Sequence, residues 1–341
     1  MSKHKKDVFV REPGTKLCVK NENLVAQNRK EQTSSNIPLL NVERLIIRGG
    51  SLISTQLLLE LLKRQIDIVL LSFHGHFLAR IPTLLGKNVP LRREQYRVFE
   101  DEERRNRQAA GFVKGKLWNA YIFMKRYYTK HQDSDALNRL LMLYNRVKAN
   151  DYDIETLMGN EGAGSQTYFS TFGKILSGSG SCFVFDKRTR RPPTDPVNAM
   201  LSFGYTMLLK EVLPLIESTG LDPFLGFLHA PGHGRPSLAL DIMEEFRSVI
   251  VDQLILKLIN KRILTADDFV GLDSGGKDGV FLKKTQINVF LRHFCERMET
   301  QRFCTKTGKD LSYRSLIRNQ VFELIQCVET GKVYRPFRII K

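Results

Sequence analysis

The chain has 341 residues, 42% of them hydrophobic and 26% charged, and its 53 Lys and Arg against 36 Asp and Glu give a formal net charge of +17. That composition excludes an intrinsically disordered chain and supplies apolar surface for one large or two smaller cores. Cys18, Cys182, Cys295, Cys304 and Cys327 are widely spaced with no C-x-x-C pair, which excludes a disulfide framework and a cysteine zinc site.

The first seven residues are polar and charged, and no apolar run approaches the ~20 residues of a membrane span. The expectation is a cytoplasmic protein with no membrane contact. Residues 1–15 read as a polar leader. Lys16–Val19, Leu24–Ala26 and Val42–Ile47 read as strands separated by Asn, Gly and Ser clusters. Ser54 caps a helix to Arg64 that carries Leu57, Leu58, Leu61 and Leu62 at helical spacing. Asp67–Leu71 has a buried-strand pattern, and Phe73–Arg80 reads as a hairpin turning at Gly75. His74 and His76 decorate one face of that strand.

Composition shifts near residue 86. A β-rich domain over residues 1–85, a linker over 86–92 and an α-helical domain over 93–341 are expected, which makes the fold class α+β, with the larger domain all-α. Leu91–Lys130 reads as helical and very basic, with Tyr96, Phe99, Phe112, Tyr121 and Phe123 interleaved. That pattern suits either a solvated face or a phosphate backbone. Further helices are expected over Asp135–Lys148, over Val197–Ile216 with Asp195-Pro196 as its start, and over Ser237–Arg262, Lys284–Cys304 and Ser312–Thr330. Phe185–Pro196 is a Pro-rich basic loop, and Asp273–Gly279 a Gly-rich one.

Three residues draw the chemistry together. Glu161 sits in Gly159-Asn160-Glu161-Gly162, His229 ends Gly226-Phe227-Leu228-His229, and Glu244 lies in Asp241-Ile242-Met243-Glu244. Two carboxylates and an imidazole make a mixed oxygen and nitrogen set that suits Mg²⁺ or Mn²⁺ and leaves positions open. On a strongly basic chain this points to phosphodiester chemistry on a nucleic acid. Asp241, Glu245, Ser248 and Asp252 share a polar stripe of the Ser237–Arg262 helix. Ile242, Met243, Phe246 and Val249 form its buried face.

Ordered blocks carry a resemblance. They are Gly159–Gly162 followed by Tyr168-Phe169, Arg190–Tyr205, Gly226–His229, and Gly234–Arg247. Together they resemble the CRISPR-associated spacer-acquisition integrase and endonuclease family, the larger of the two core adaptation proteins, over roughly residues 155–255. The resemblance implies metal ligands at Glu161, His229 and Glu244, with Asp241 orienting His229 or a metal water. It implies phosphate or DNA contacts at Arg235, Ser237, Tyr168, Tyr205, Arg190 and Arg191. It further implies Mg²⁺ or Mn²⁺ as cofactor, duplex DNA fragments, a CRISPR repeat and branched DNA as substrates, and a homodimer. Two such dimers would be bridged by a small ferredoxin-like partner into a heterohexamer. The implied reaction joins the 3′-hydroxyl of a short DNA fragment to a repeat by transesterification. A non-catalytic DNA scaffold and a general structure-specific nuclease are the alternatives.

Overall fold

The structure is a computed structural model that describes residues 6–28, 32–72, 77–81, 88–127, 134–149, 152–178, 183–189, 192–271, 279–304 and 307–339. His74, Gly75, His76, Arg190, Arg191 and most of the Asp273–Gly279 loop lie outside the described residues. The chain divides into two compact units, residues 1–85 and 86–341.

The first unit holds β1 (Lys6–Val10), β2 (Lys16–Lys20), β3 (Asn23–Asn28), β4 (Thr33–Pro38), β5 (Val42–Arg48), β6 (Leu52–Ile53), α1 (Thr55–Lys63), β7 (Asp67–Leu71) and β8 (Phe77–Ile81). One sheet has the order β1-β5-β7-β8, and a second the order β4-β3-β2-β6. Leu17, Leu24, Val42, Leu45, Leu57, Leu61 and Ile68 are fully buried in its core. Ser54 caps α1 as its sequence requires, accepting from Leu57 N–H. The leader contains a strand that the sequence reading missed. β1 pairs in parallel with β5, and Arg44 makes a two-pronged ion pair with Asp7. The charges that made the segment look like a polar leader are themselves what fasten it.

The second unit is mainly helical. It begins with α2 (Val89–Glu100), α3 (Glu102–Tyr127), α4 (Ser134–Ala149), α5 (Ile154–Gly178) and α6 (Pro196–Thr219). α2 starts inside the stretch expected as a linker, because Asn88 caps it and Pro90 occupies its first turn. The helical stretch expected over Leu91–Lys130 holds two helices. They part at Asp101, whose carboxylate accepts from Arg104 N–H. α6 begins on the Asp195 cap and ends at Gly220, whose φ is 96°.

Among the described residues α6 alone is long and apolar enough by length and composition to cross a membrane, which the sequence reading did not single out. Its Val197, Leu201, Leu208 and Val212 are fully buried inside this unit.

The helix expected over Ser237–Arg262 is α7 (Ser237–Glu244), a π-helical segment (Arg247–Asp252) and α8 (Gln253–Asn260). It is not amphipathic. Asp241, Glu244, Glu245 and Asp252 are each at most 3% exposed, like the leucines beside them. The polar stripe faces internal partners, so this run is the centre of the unit. β9 (Phe269–Val270) and β10 (Phe281–Leu282) pair as a short ribbon. The helix expected over Lys284–Cys304 stops as α9 (Lys284–Met298), and Gln301–Cys304 turns into β11, paired with β12 (Lys309–Ser312). α10 (Tyr313–Thr330) closes the helical order.

Candidate active site

Lys116 of α3 lies between two carboxylates from different helices. Its ammonium pairs with Glu161 of α5 and sits 2.8 Å from Glu244 Oε2 at the end of α7. Arg247 pairs with the other oxygen, Glu244 Oε1, at 2.9 Å. Burial pushes the Glu244 carboxyl up, but Arg247, Lys116 and His229 more than offset it and hold the group down at about 2. Glu244 is therefore ionised at neutral pH although it is buried.

His229 lies on the loop between α6 and α7, and that loop is tied down at several points. Buried Gln95 of α2 donates to Asp222 O and Leu225 O and accepts from Asp222 N–H. Arg105 donates to Phe227 O. Asp241 accepts the main-chain N–H groups of Phe227, Leu228 and His229 at 2.6, 3.0 and 3.0 Å, and lies 2.7 Å from His229 Nδ1. The loop approaches α7 so closely that a Cβ on Gly226 would stand 2.8 Å from Asp241 Oδ2. With Nδ1–H donated to Asp241, the ring presents Nε2 as its free acceptor.

Beside this set is a cavity of about 540 Å³, walled by Lys116, Phe169, Arg188, Glu244, Arg247 and Asp252 among others. Tyr168 and Tyr205, expected at the DNA end, also line it but turn their hydroxyls inward. Both donate to Asp252, at 2.6 and 2.7 Å. Burial raises the Asp252 carboxyl to about 6, against the lowering effect of the two tyrosine hydroxyls and of Arg247 and Arg188. Arg247 also stacks on the Tyr205 ring at 4.8 Å.

The other expected contacts divide. Arg235 is exposed on a tight turn built on Gly232 and Gly234, where it meets solvent. Ser237 is fully buried and donates to Ala230 O, so it secures the loop and reaches no phosphate. Gly159 and Gly162 flank Glu161 on α5, and a Cβ on either would meet nothing within 4 Å. The helix surface beside Glu161 is thus bare.

In donor type, Glu161, His229 and Glu244 fit a hard divalent cation. Glu244 Oε2 and Arg247 Nε are buried without an aligned hydrogen bond, Oε2 meeting Lys116 only as an ion pair. Among the described residues no three His, Cys, Asp or Glu groups stand close enough to hold a metal. Lys116 takes the cationic place between the carboxylates. The sequence reading placed Lys116 only in the basic stretch Leu91–Lys130 and Asp252 only on the polar stripe, and it gave Arg247 no role. Arg247 follows Glu244 by three residues, the spacing of a helical ion pair, and that signal was available. Lys116 carried no local signal at all.

The family model described as CRISPR associated protein Cas1 matches residues 8–296. The chain is 39% identical over 285 residues to CRISPR-associated endonuclease Cas1 2 of Rhodospirillum rubrum, covering 81% of this chain and 82% of that one. It superposes on the CAS1 protein TM1797 from Thermotoga maritima with a TM-score of 0.79 at 25% identity, over 96% of this chain and 99% of the other. A casposase bound to integration product shares the fold, with a TM-score of 0.78 at 22% identity, covering 96% and 91% of the two chains.

Proposed function

Because the chain belongs to the Cas1 family of CRISPR-associated proteins, we propose that it is a divalent-metal-dependent DNA integrase and endonuclease of CRISPR adaptation. The observation that carries this reading is the meeting of Glu161 of α5 and Glu244 of α7 on one ammonium, that of Lys116, with His229 of the α6–α7 loop near enough to help hold the Glu244 carboxyl down. The name of the Rhodospirillum rubrum relative, an endonuclease, supports the hydrolytic half.

In this reading Glu161, His229 and Glu244 hold Mg²⁺ or Mn²⁺. When bound, the ion polarises the scissile phosphate and lowers the pKa of the attacking hydroxyl. The chain's own residues do the rest. Asp241 fixes the His229 tautomer so that Nε2 faces the site. Arg247 and Lys116 keep Glu244 ionised. Arg235 and the bare surface at Gly159 and Gly162 receive the DNA backbone. The 3′-hydroxyl of a short fragment attacks a phosphodiester at a repeat edge. One P–O bond forms as another breaks, and the leaving 3′-oxygen takes up a proton. Water in place of the hydroxyl gives cleavage.

The partners proposed are a second copy of the chain and a small ferredoxin-like adaptation protein, in a heterohexamer with the first unit on the assembly side. A cytoplasmic location goes with that role.

The test is strand transfer with purified protein, the small partner, a labelled duplex with free 3′-hydroxyls, a supercoiled repeat-bearing plasmid and Mg²⁺ or Mn²⁺. Glu161→Ala, His229→Ala and Glu244→Ala are each expected to abolish joining while keeping the fold and DNA binding. Cutting without joining would reassign the protein as a nuclease. Binding with neither would make it a scaffold.

A further inference from the structure

Glu244 has a neighbour with no part in the site. Glu245 is fully buried and faces the segment that follows α10. That segment, Lys332–Ile339, runs extended across α3 as a strap. Glu245 Oε1 accepts from the Tyr334 hydroxyl at 2.7 Å, and Oε2 from Phe337 N–H at 2.6 Å. Gln320 of α10 donates to the Tyr334 hydroxyl and to Arg335 O. Phe337 stacks on Phe246, the next residue in the central run, with ring centroids 5.1 Å apart.

The strap is fastened equally to α3. Gln108 donates to Lys332 O and accepts from Tyr334 N–H. Asn119 donates to Phe337 O and accepts from Ile339 N–H, and it also donates to Glu245 O at 2.8 Å. Gly111 and Gly115 lie between these two anchors. A Cβ on Gly111 would stand 2.7 Å from Tyr334, and one on Gly115 would stand 2.7 Å from Pro336 and 2.8 Å from Glu245. Residues 108, 111, 115 and 119 repeat at helical spacing, so they form one face of α3. Lys116 is the next residue after Gly115, about 100° further round the helix.

The same offset recurs on the central run. Glu245 faces the strap, and Glu244, about 100° away, faces Lys116. Each element thus presents one residue to the strap and its sequence neighbour to the carboxylate site. Fixing the first fixes the second.

We propose that Glu245 is a positioning residue for the carboxylate site, through which the strap Lys332–Ile339 sets the register between the helix bearing Lys116 and the helix end bearing Glu244. The inference rests on the metal reading above. Its two effects are separate: the strap anchors the backbone, and the backbone aims Glu244.

The test is Mn²⁺ binding by the full chain without DNA, followed by electron paramagnetic resonance, with circular dichroism and thermal melting as checks of the fold. Glu245→Gln keeps one accepting oxygen and puts an amide NH2 against the other donor, either Phe337 N–H or the Tyr334 hydroxyl. Tyr334→Phe removes one of those donors and leaves the ring in place. Both folded variants are expected to lose roughly tenfold in Mn²⁺ affinity, as changes that support metal ligands do. Phe290→Leu, in the core away from the strap, is expected to lower the melting temperature comparably and leave Mn²⁺ affinity unchanged. Wild-type affinity in folded Glu245→Gln or Tyr334→Phe overturns the inference, and so does an equal loss in Phe290→Leu. If Glu245→Gln does not fold, Tyr334→Phe decides alone. Wild-type protein that binds no Mn²⁺ overturns the proposed function itself, and this inference with it.

Discussion

Lys116 Nζ lies 2.8 Å from Glu244 Oε2 and also pairs with Glu161, so a single ammonium stands between carboxylates from two helices. Its side chain is 16% exposed and that of Glu244 only 3%. The pairing is therefore weakly screened, and removing one partner leaves charge uncompensated. Lys116→Met is expected to lose about 3 kcal/mol of stability in urea unfolding at pH 7. Millimolar Mg²⁺ or Mn²⁺ should restore more stability to the variant than it adds to wild type. The acid limb should move too. Glu244 at about 2 in the folded chain is below its ordinary 4.5, so its contribution is full above 4.5 and is lost as pH falls toward 2. Without Lys116 the folded value rises toward 4.5, so that loss is smaller and is complete at a higher pH.

Asp241 is a single fully buried carboxylate serving three main-chain N–H groups and His229 Nδ1. Asp241→Ala strands those donors together and is expected to cost about 3 kcal/mol or more. Asp241→Asn keeps one accepting oxygen for one pair of these donors and loses the carboxylate oxygen that serves the other, so the imidazole is no longer oriented as before. The variant should fold and still lose strand joining. Paired urea titrations and joining assays separate the two outcomes; a fully active Asp241→Asn protein would remove the orienting role of Asp241.

Asp252 titrates in the opposite sense to Glu244. Its folded value of about 6 lies above its ordinary 3.8. Between those values the unfolded chain gives up the proton and the folded chain keeps it, so stability falls as pH rises from about 4 to about 6. Asp252→Asn cannot ionise and should abolish that slope. The difference between wild type and variant should grow by a few kcal/mol across the window, at about 1.4 kcal/mol per pKa unit. Urea unfolding at pH 4, 5, 6 and 7 reads it directly.

Glycines near the site should respond in opposite directions. Gly159→Ala and Gly162→Ala meet nothing within 4 Å, so each should stabilise α5 by up to about 1 kcal/mol. If the DNA backbone approaches the bare surface beside Glu161, the same changes should weaken DNA binding. Gly115→Ala drives a methyl into Pro336 and Glu245 and should destabilise by about 1–3 kcal/mol. Melting temperatures and DNA titrations of the three variants distinguish a surface kept open for a ligand from a surface with no use.

Local chemistry made parts of this molecule legible in sequence. Asp195-Pro196 could be read as the start of α6 because a cap and a first-turn proline act within four residues. Glu161 and Glu244 could be singled out because each sits in a distinctive block, and the fold brings both to Lys116. The direction of a side chain was not legible. Tyr168 and Tyr205 looked available to a ligand, yet both hydroxyls turn to Asp252, which no spacing rule announces. Lys116 was one basic residue among many on α3, and only folding brings it between two acids. The polar stripe on the central run was correctly spaced but wrongly faced. Its partners come from residues such as Tyr334 and Phe337, far along the chain.

The π-helical segment Arg247–Asp252 sets two demands on one stretch of backbone against each other. A regular α-helix continued from Glu244 would bring Asp252 round about 80° off the direction of Glu244. The wider π turn reduces that offset, and both residues reach the same cavity. Better helical hydrogen bonding is thus available to this chain by losing a single residue here, and taking it would swing Asp252 and its tyrosines off the wall they share with Glu244. A one-residue deletion at 247–252 is therefore expected to lower the melting temperature in spite of the more regular backbone, because it parts Asp252 from the Tyr168 and Tyr205 hydroxyls.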